Sequence, residues 1–428
     1  MNKTSLPDEV RLAPRESKDA NPQIPYYVRA LALGIPAILL GLQISGWIFF
    51  IPVIRNGHFD FRHLYTAGYM VRTGHAHELY DYQREKQFED TLVSREEIAL
   101  PFNHPAYEAL LFVPLSFFTF KQGYFMFLAF NLAFLAAAYQ VLRPYFENLQ
   151  LEWWWLGPAM FMTFLPNVAA LMQGQDSIVL MALFAGSFVM LLKKRDFLGG
   201  LLLGLALFKF QVVLPVAVLF AIWRCWSFIA GFSLSGAAVA ALSVALVGIS
   251  QINTYAHALF AMGIGLSSKA DQFRYGISPS SMPNLRGMAF GLLHDRLPGS
   301  WIQLAILATS GVVLLVAARA GLDKSNSDRL LLAIVTSVLV SYHLLIHDMS
   351  VLLVPITVLI SKNLFLEASP VPGRDQLRAA ALLFVSPIWM SFAPKVFFVI
   401  SAASLVLFLV LTSKVKKGPA SFARPDPM

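Results

Sequence analysis

Apolar runs long enough to cross a bilayer recur from Leu31 to Leu411, and this pattern rules out a soluble core. Such runs span a membrane as helices, so the chain reads as an all-α polytopic membrane protein. Of the 428 residues 57% are hydrophobic and 14% charged, against about 25% charged in soluble domains. A net charge of +8 would suggest a nucleic-acid partner in a soluble protein. Here it reports basic loops held in the cytoplasm by the positive-inside rule, and no nucleic acid is expected. Cys225 is the only cysteine, which excludes an intrachain disulfide and a cysteine-based metal site. Residues 1–30 are polar, contain several prolines and lack a cleavable signal pattern. They read as a disordered cytoplasmic tail, followed by a membrane domain over 31–413 and a second cytoplasmic tail over 414–428.

The first span is predicted over Leu31–Ile54. Arg55–His104 is too polar to cross, and residues 55–122 form a first extracytoplasmic loop. This loop has two short amphipathic stretches, near Phe61–Arg72 and Asp81–Val93, and a proline-interrupted segment, Pro105–Phe118, that dips in without crossing. Later spans are expected near Gly123–Leu142, Trp153–Met172, Ser177–Leu192, Phe228–Ile249, Trp301–Ala318, Leu330–Leu345, Val351–Leu366, Ala379–Ala393 and Val396–Leu411, with a second extracytoplasmic loop over 250–300. The stretch Phe197–Trp223 decides the topology. Lys193-Lys194-Arg195 before it and Arg224 after it both belong in the cytoplasm, so it reads as a hairpin of two half-length helices bending near Lys209. About ten full spans plus two re-entrant elements follow, with both termini inside. The remaining polar residues then gather at the outer face, where ionisable groups at membrane depth are functional candidates.

Asp60, between Phe59 and Phe61, is either a general base at the membrane surface or the cap of the helix starting at Phe61. Arg62 and His63 follow it as supporting candidates. Lys209 sits among apolar residues; it faces a polar cavity and an anion such as phosphate, or pairs with Asp176 or Asp348. His343 and His347 are four apart and would share a helical face beside Asp348. That cluster suits a sugar or phosphate, a helix cap, or a zinc ion lacking a clear third ligand. Gln173-Gly174-Gln175-Asp176 is a plain turn or a set of hydrogen-bonding side chains. Arg286 and Arg274 lie in the second loop, and Arg286 is placed to meet an anionic head group. His104 completes the polar set. No GxSxG, Walker A, HExxH or nucleic-acid-binding motif is present.

The order of these motifs resembles glycosyltransferase family 87. It runs DF…Y…G…LYD after the first span, then a proline turn, a Gly-Gln-Asp turn, a lysine in a glycine-rich apolar hairpin and a late His-Asp. The resemblance covers roughly Phe59 to Leu353. It implies the GT-C fold and a polyprenyl-phosphate donor, which is mannose-linked in the best-known, bacterial members. It makes Asp60 the base and matches Gly74, Leu79, Tyr80 and Asp81 to the loop pattern. It matches Gln175 and Asp176 to the polar turn, Lys209 to the lysine near the donor phosphate and His347 to the late histidine; Arg286 as a donor-phosphate contact and His343 and Asp348 as supporting groups rest on the reading of the residues themselves. The chain departs from the family at His104-Pro105-Ala106. No metal and no cofactor are expected, because the leaving group is a lipid monophosphate. The expected partners are the lipid-linked sugar, a glycan or glycolipid acceptor and the bilayer of a bacterial-type inner membrane. A transporter or lipid-carrier flippase, with paired repeats and a midplane site, is the competing class; an inactive scaffold is a third.

Overall fold

A computed structural model describes residues 26–57, 59–146, 154–264, 278–363, 371–392 and 397–413. Most of both tails, Arg274 and residues 265–277 of the second loop lie outside these residues. The described residues are helical, with no strand among them.

Helix α1 covers Tyr26–Asn56. The chain then turns at Gly57 into a first-loop module made of α2 (Phe61–Arg72), α3 (Tyr82–Leu92) and the short α4 (Ala109–Phe112). The module has its own apolar core, in which Phe61, Leu64, Tyr65 and Phe112 meet Phe120, Tyr124 and Phe127 of α5 (Phe120–Leu142). A Cβ on Gly68 would stand 2.6 Å from the Phe112 carbonyl oxygen, so only glycine lets α2 lie this close to α4. A buried Arg62 ties α3 to α2 through Glu89 at 2.6 Å and the Ser94 hydroxyl and carbonyl.

The other helices follow, and all but the one over Ile249–Ile264 contribute to a larger core. They are α6 (Leu156–Thr163), α7 (Leu165–Gln173), α8 (Ser177–Leu192), α9 (Asp196–Leu205), α10 (Phe210–Ile222), α11 (Trp226–Val247) and α12 (Ile249–Ile264), then α13 (Leu285–Leu293), α14 (Gly299–Ala320), α15 (Asn326–Val340), α16 (Leu353–Asn363), α17 (Val371–Val385), α18 (Trp389–Phe392) and α19 (Phe397–Thr412).

The sequence predicts about ten full spans; among the described residues four helical stretches are long and apolar enough to cross a bilayer, or five if the α9–α10 pair counts as one. The other apolar runs are cut into shorter helices. Trp153–Met172 breaks at Phe164, where Pro166 opens a new helix. Leu330–Leu345 ends at Val340, and residues Ile346–Leu352 form a 3-10 turn. Hydropathy counts apolar residues and is blind to such breaks. Irregular backbone at membrane depth is tolerated where protein buries it or a cavity faces it.

The loop predicted over 250–300 is also partly helical. α12 continues from α11 and docks on the first-loop module through Tyr255, stacked 4.7 Å from Tyr80 and donating to the Asn103 carbonyl.

The α9–α10 pair is bent at a 3-10 turn over Leu207–Lys209. Asn326 donates to Asp196 at 2.7 Å and accepts from Cys225, and Arg329 contacts both Asn326 and Cys225. The two outer ends of the pair therefore share one end of the bundle. The Trp223 indole reaches the Ala318 carbonyl there. Lys193–Arg195, Arg224, Arg319 and Arg329 are thus carried on segments that meet at that end.

Candidate functional site

Asp60 occupies the N-cap position immediately before α2, with helical φ and ψ, and its side chain makes no capping bond. Asp81 shows the contrast. Its backbone is extended, and its carboxylate accepts from the Gln83 and Arg84 amides at the start of α3. Turned away from its own helix, Asp60 Oδ2 accepts from Gln175 Nε2 at 2.8 Å. His347 Nε2 lies 3.8 Å from the same oxygen, beyond hydrogen-bond reach. Phe59 and Phe61 anchor the backbone on either side, packing on Phe120 and Tyr124. The carboxylate between them keeps 27% exposure.

The turn that delivers Gln175 is held from three sides. Gly174 ends α7 in the left-handed region (φ +61), and a Cβ there would lie 2.7 Å from Phe61 Cβ, so the turn rests directly on the residue after Asp60. Tyr124 donates to the Met172 carbonyl at 2.9 Å, and Asn131 donates to the Gln175 carbonyl at 3.0 Å.

Lys209 is buried at the bend, with Nζ 3.3 Å from Asp176 Oδ1, 3.3 Å from Asp348 Oδ1 and 3.4 Å from Gln175 Oε1. Of the two alternatives read from sequence, the ion pair is present with both candidate partners at once, as a buried ammonium requires. Asp348 also accepts from the Leu345 amide and from Ser177 Oγ, and Ser177 Oγ is 3.0 Å from His347 Nδ1.

His343 and His347 do not share a helical face. α15 stops at Val340, residues 341–345 are irregular, and His347 lies in the 3-10 turn. The spacing of four means nothing without a continuous helix. His347 joins the Asp60 side of the cluster, whereas His343 lines a cavity of about 540 Å³ together with the polar residues His104, Lys209, Gln211, Asn103 and Tyr342. Phe208, Phe210, Leu214, Pro215, Leu259 and Phe260 make the rest of the wall apolar. Asp60 is linked to this lining through Gln175 and Lys209.

Of the remaining candidates, Arg62 points into α3 and away from Asp60. His63 packs its ring 5.5 Å from that of His104. Arg286 donates to the Tyr342 carbonyl at 2.7 Å and lies 4.2 Å over the Tyr342 ring, which places it at the rim of the cavity.

His104, Glu108 and Asp176 bring three metal-ligating atoms within 4.8 Å of one another. His104 Nδ1 is 2.6 Å from Glu108 Oε2, a hydrogen-bond distance. Two donors about 2.1 Å from one ion stand roughly 3 Å or more apart. His104 and Glu108 are thus hydrogen-bonded to each other, and the Lys209 ammonium supplies positive charge to Asp176.

Sequence reasoning missed Ser177, Asn131, Tyr124 and Glu108. Asn131 and Glu108 carried a usable signal, as lone polar residues inside apolar runs. Ser177 and Tyr124 carried none, because both types are ordinary in membrane helices.

The model of glycosyltransferase family 87 matches residues 102–346. The matched segment contains His104, Gln175, Asp176, Lys209, Arg286 and His343. Asp60, His347 and Asp348 fall outside it and join the site through tertiary contacts. No curated protein and no solved structure matches the chain.

Proposed function

The chain belongs to glycosyltransferase family 87 and is a glycosyltransferase, and from that premise we propose that it moves a hexose, mannose by family resemblance, from a polyprenyl-phosphate donor to an extracytoplasmic glycan or glycolipid, with Asp60 as the general base. One observation carries this reading. A partly exposed carboxylate at a helix start makes no cap and is instead held by a side chain from a distant turn. A capping aspartate spends its oxygens on its own helix; this one keeps an oxygen for chemistry.

In the proposed reaction Asp60 takes the proton from an acceptor hydroxyl as that oxygen attacks the anomeric carbon. The new glycosidic bond forms as the bond to the lipid phosphate breaks, and the phosphate leaves with the electron pair. Lys209, in the lining of the largely apolar cavity, is the cation nearest the departing phosphate in this reading, with His347 and Arg286 as flanking groups. The apolar wall suits a polyprenyl chain. The charge pattern is what favours an outer-facing site in an inner membrane. Basic residues at 193–195, 224, 319 and 329 sit on segments that meet at one end of the bundle, the expected cytoplasmic end, and the first-loop module carries Asp60 on a different part of the chain. No observation favours the transporter or scaffold alternatives.

The test is incubation of purified protein in lipid discs with synthetic polyprenyl-phosphate mannose, and in parallel the glucose donor, with candidate acceptors and mass spectrometry of products. A product one hexose heavier, lost in Asp60→Asn, supports the reading. Full transfer by Asp60→Asn sinks it.

A further inference from the structure

Gln175 stands between the two charges that matter most to the proposed chemistry. Its Nε2 donates to Asp60 Oδ2 at 2.8 Å, and its Oε1 faces the Lys209 ammonium at 3.4 Å. An amide has only one orientation that satisfies a carboxylate on one side and an ammonium on the other, so these two neighbours set its direction. Its own backbone has little freedom. The Gln175 amide N–H donates to the Ala170 carbonyl at 2.9 Å, Asn131 holds its carbonyl, and its side chain is buried.

We propose that Gln175 is a positioning residue for the transfer reaction. Its amide pins Oδ2 of Asp60, leaves Oδ1 to receive the acceptor proton, and links the carboxylate to Lys209. This inference rests on Asp60 being the base and assigns Gln175 no direct contact with substrate. Other charged groups set the surroundings. His347 approaches the same Asp60 oxygen from the 346–352 turn, Asp176 and Asp348 balance Lys209, and on α2 itself Arg62 is turned into α3 while His63 packs against His104. Within this set Gln175 makes the hydrogen bond to Asp60, so its loss frees the carboxylate to rotate while the helix it sits on stays packed.

The experiment is steady-state kinetics and pH–rate profiles of the full-length protein in lipid discs for Gln175→Ala, Gln175→Asn and Gln175→Glu, with polyprenyl-phosphate mannose as donor. In Gln175→Ala, kcat is expected to fall about tenfold or more while the donor KM stays within about twofold, the pattern of a lost transition-state contribution. In the isosteric Gln175→Glu, a carboxylate replaces the amide beside Asp60, and like charges disfavour ionisation. The acid limb of its rate profile is expected to move up by about one pH unit, with activity returning above that limb. A residue that only braces the turn would move neither the limb nor kcat selectively. Wild-type kcat in Gln175→Ala, a loss confined to KM, or an unmoved acid limb in Gln175→Glu would each overturn the proposal. If those results come with an inactive Asp60→Asn, the base assignment stands and only the role of Gln175 falls; an active Asp60→Asn removes both.

Discussion

Lys209 Nζ lies 3.3 Å from Asp348 Oδ1, and this contact joins the bend between α9 and α10 to the irregular turn after α15. The same ammonium holds Asp176 at an equal distance. Removing it strands two buried carboxylates, at a cost of about 3–5 kcal/mol. Lys209→Met is therefore expected to lower the unfolding temperature sharply as well as to weaken donor binding. Lys209→Met combined with Asp348→Asn should recover part of the stability but not the donor affinity. A thermal-shift series with a donor titration checks this, and unchanged stability in the single variant would contradict the buried pairing.

Asp60→Asn tests the opposite case. The side chain makes no cap bond, so its neutral isostere should leave the unfolding temperature within experimental error. Transfer should drop by a factor of about 10² to 10⁴, the usual contribution of a positioned base. A large loss of stability would show that the carboxylate is structural.

The first-loop module is expected to respond to pH. Burial pushes the Glu85 carboxyl well above its ordinary range and raises Glu89 to about 7, against the opposing pull of Arg62. For an acid whose folded value is raised, the stabilisation is complete below the unfolded value and is lost as pH rises through the folded one. Thermal stability should therefore fall as pH rises through about 7. Glu85→Gln, which keeps an oxygen to accept from the Phe102 amide, should make that decline shallower. Differential scanning fluorimetry across pH checks it; an unchanged slope in the variant would argue against a protonated Glu85.

Leu214 lines the apolar wall of the 540 Å³ cavity and lies outside the buried core. Leu214→Trp should fill part of that volume without disturbing the buried core. The donor KM is expected to rise about tenfold, with kcat little changed and the unfolding temperature intact. Unaltered donor kinetics would place the lipid chain elsewhere.

Much of this protein was legible in one dimension. Continuous apolar runs require membrane helices whatever the fold, because the bilayer offers their backbones no other partner. An isolated Lys209 among apolar residues announces a polar cavity or a buried counter-charge for the same reason, and Gly174 between polar neighbours marks a turn. The motif order that resembles the family was readable because each piece is local.

What one dimension withheld was continuity and direction. Nothing in the composition of 330–345 says that the helix stops at Val340, so His343 and His347 looked like neighbours on one face when they belong to different surroundings. Arg62 and Asp60 are two residues apart, yet one braces α3 and the other meets Gln175. That outcome depends on the helical backbone at Asp60 and on the packing of Phe59 and Phe61, which are tertiary facts. Hydropathy is additive along the chain, and composition alone determined that this is a membrane protein. Hydrogen bonds and ion pairs depend on distance and angle, and only the folded bundle decided which carboxylate remained available.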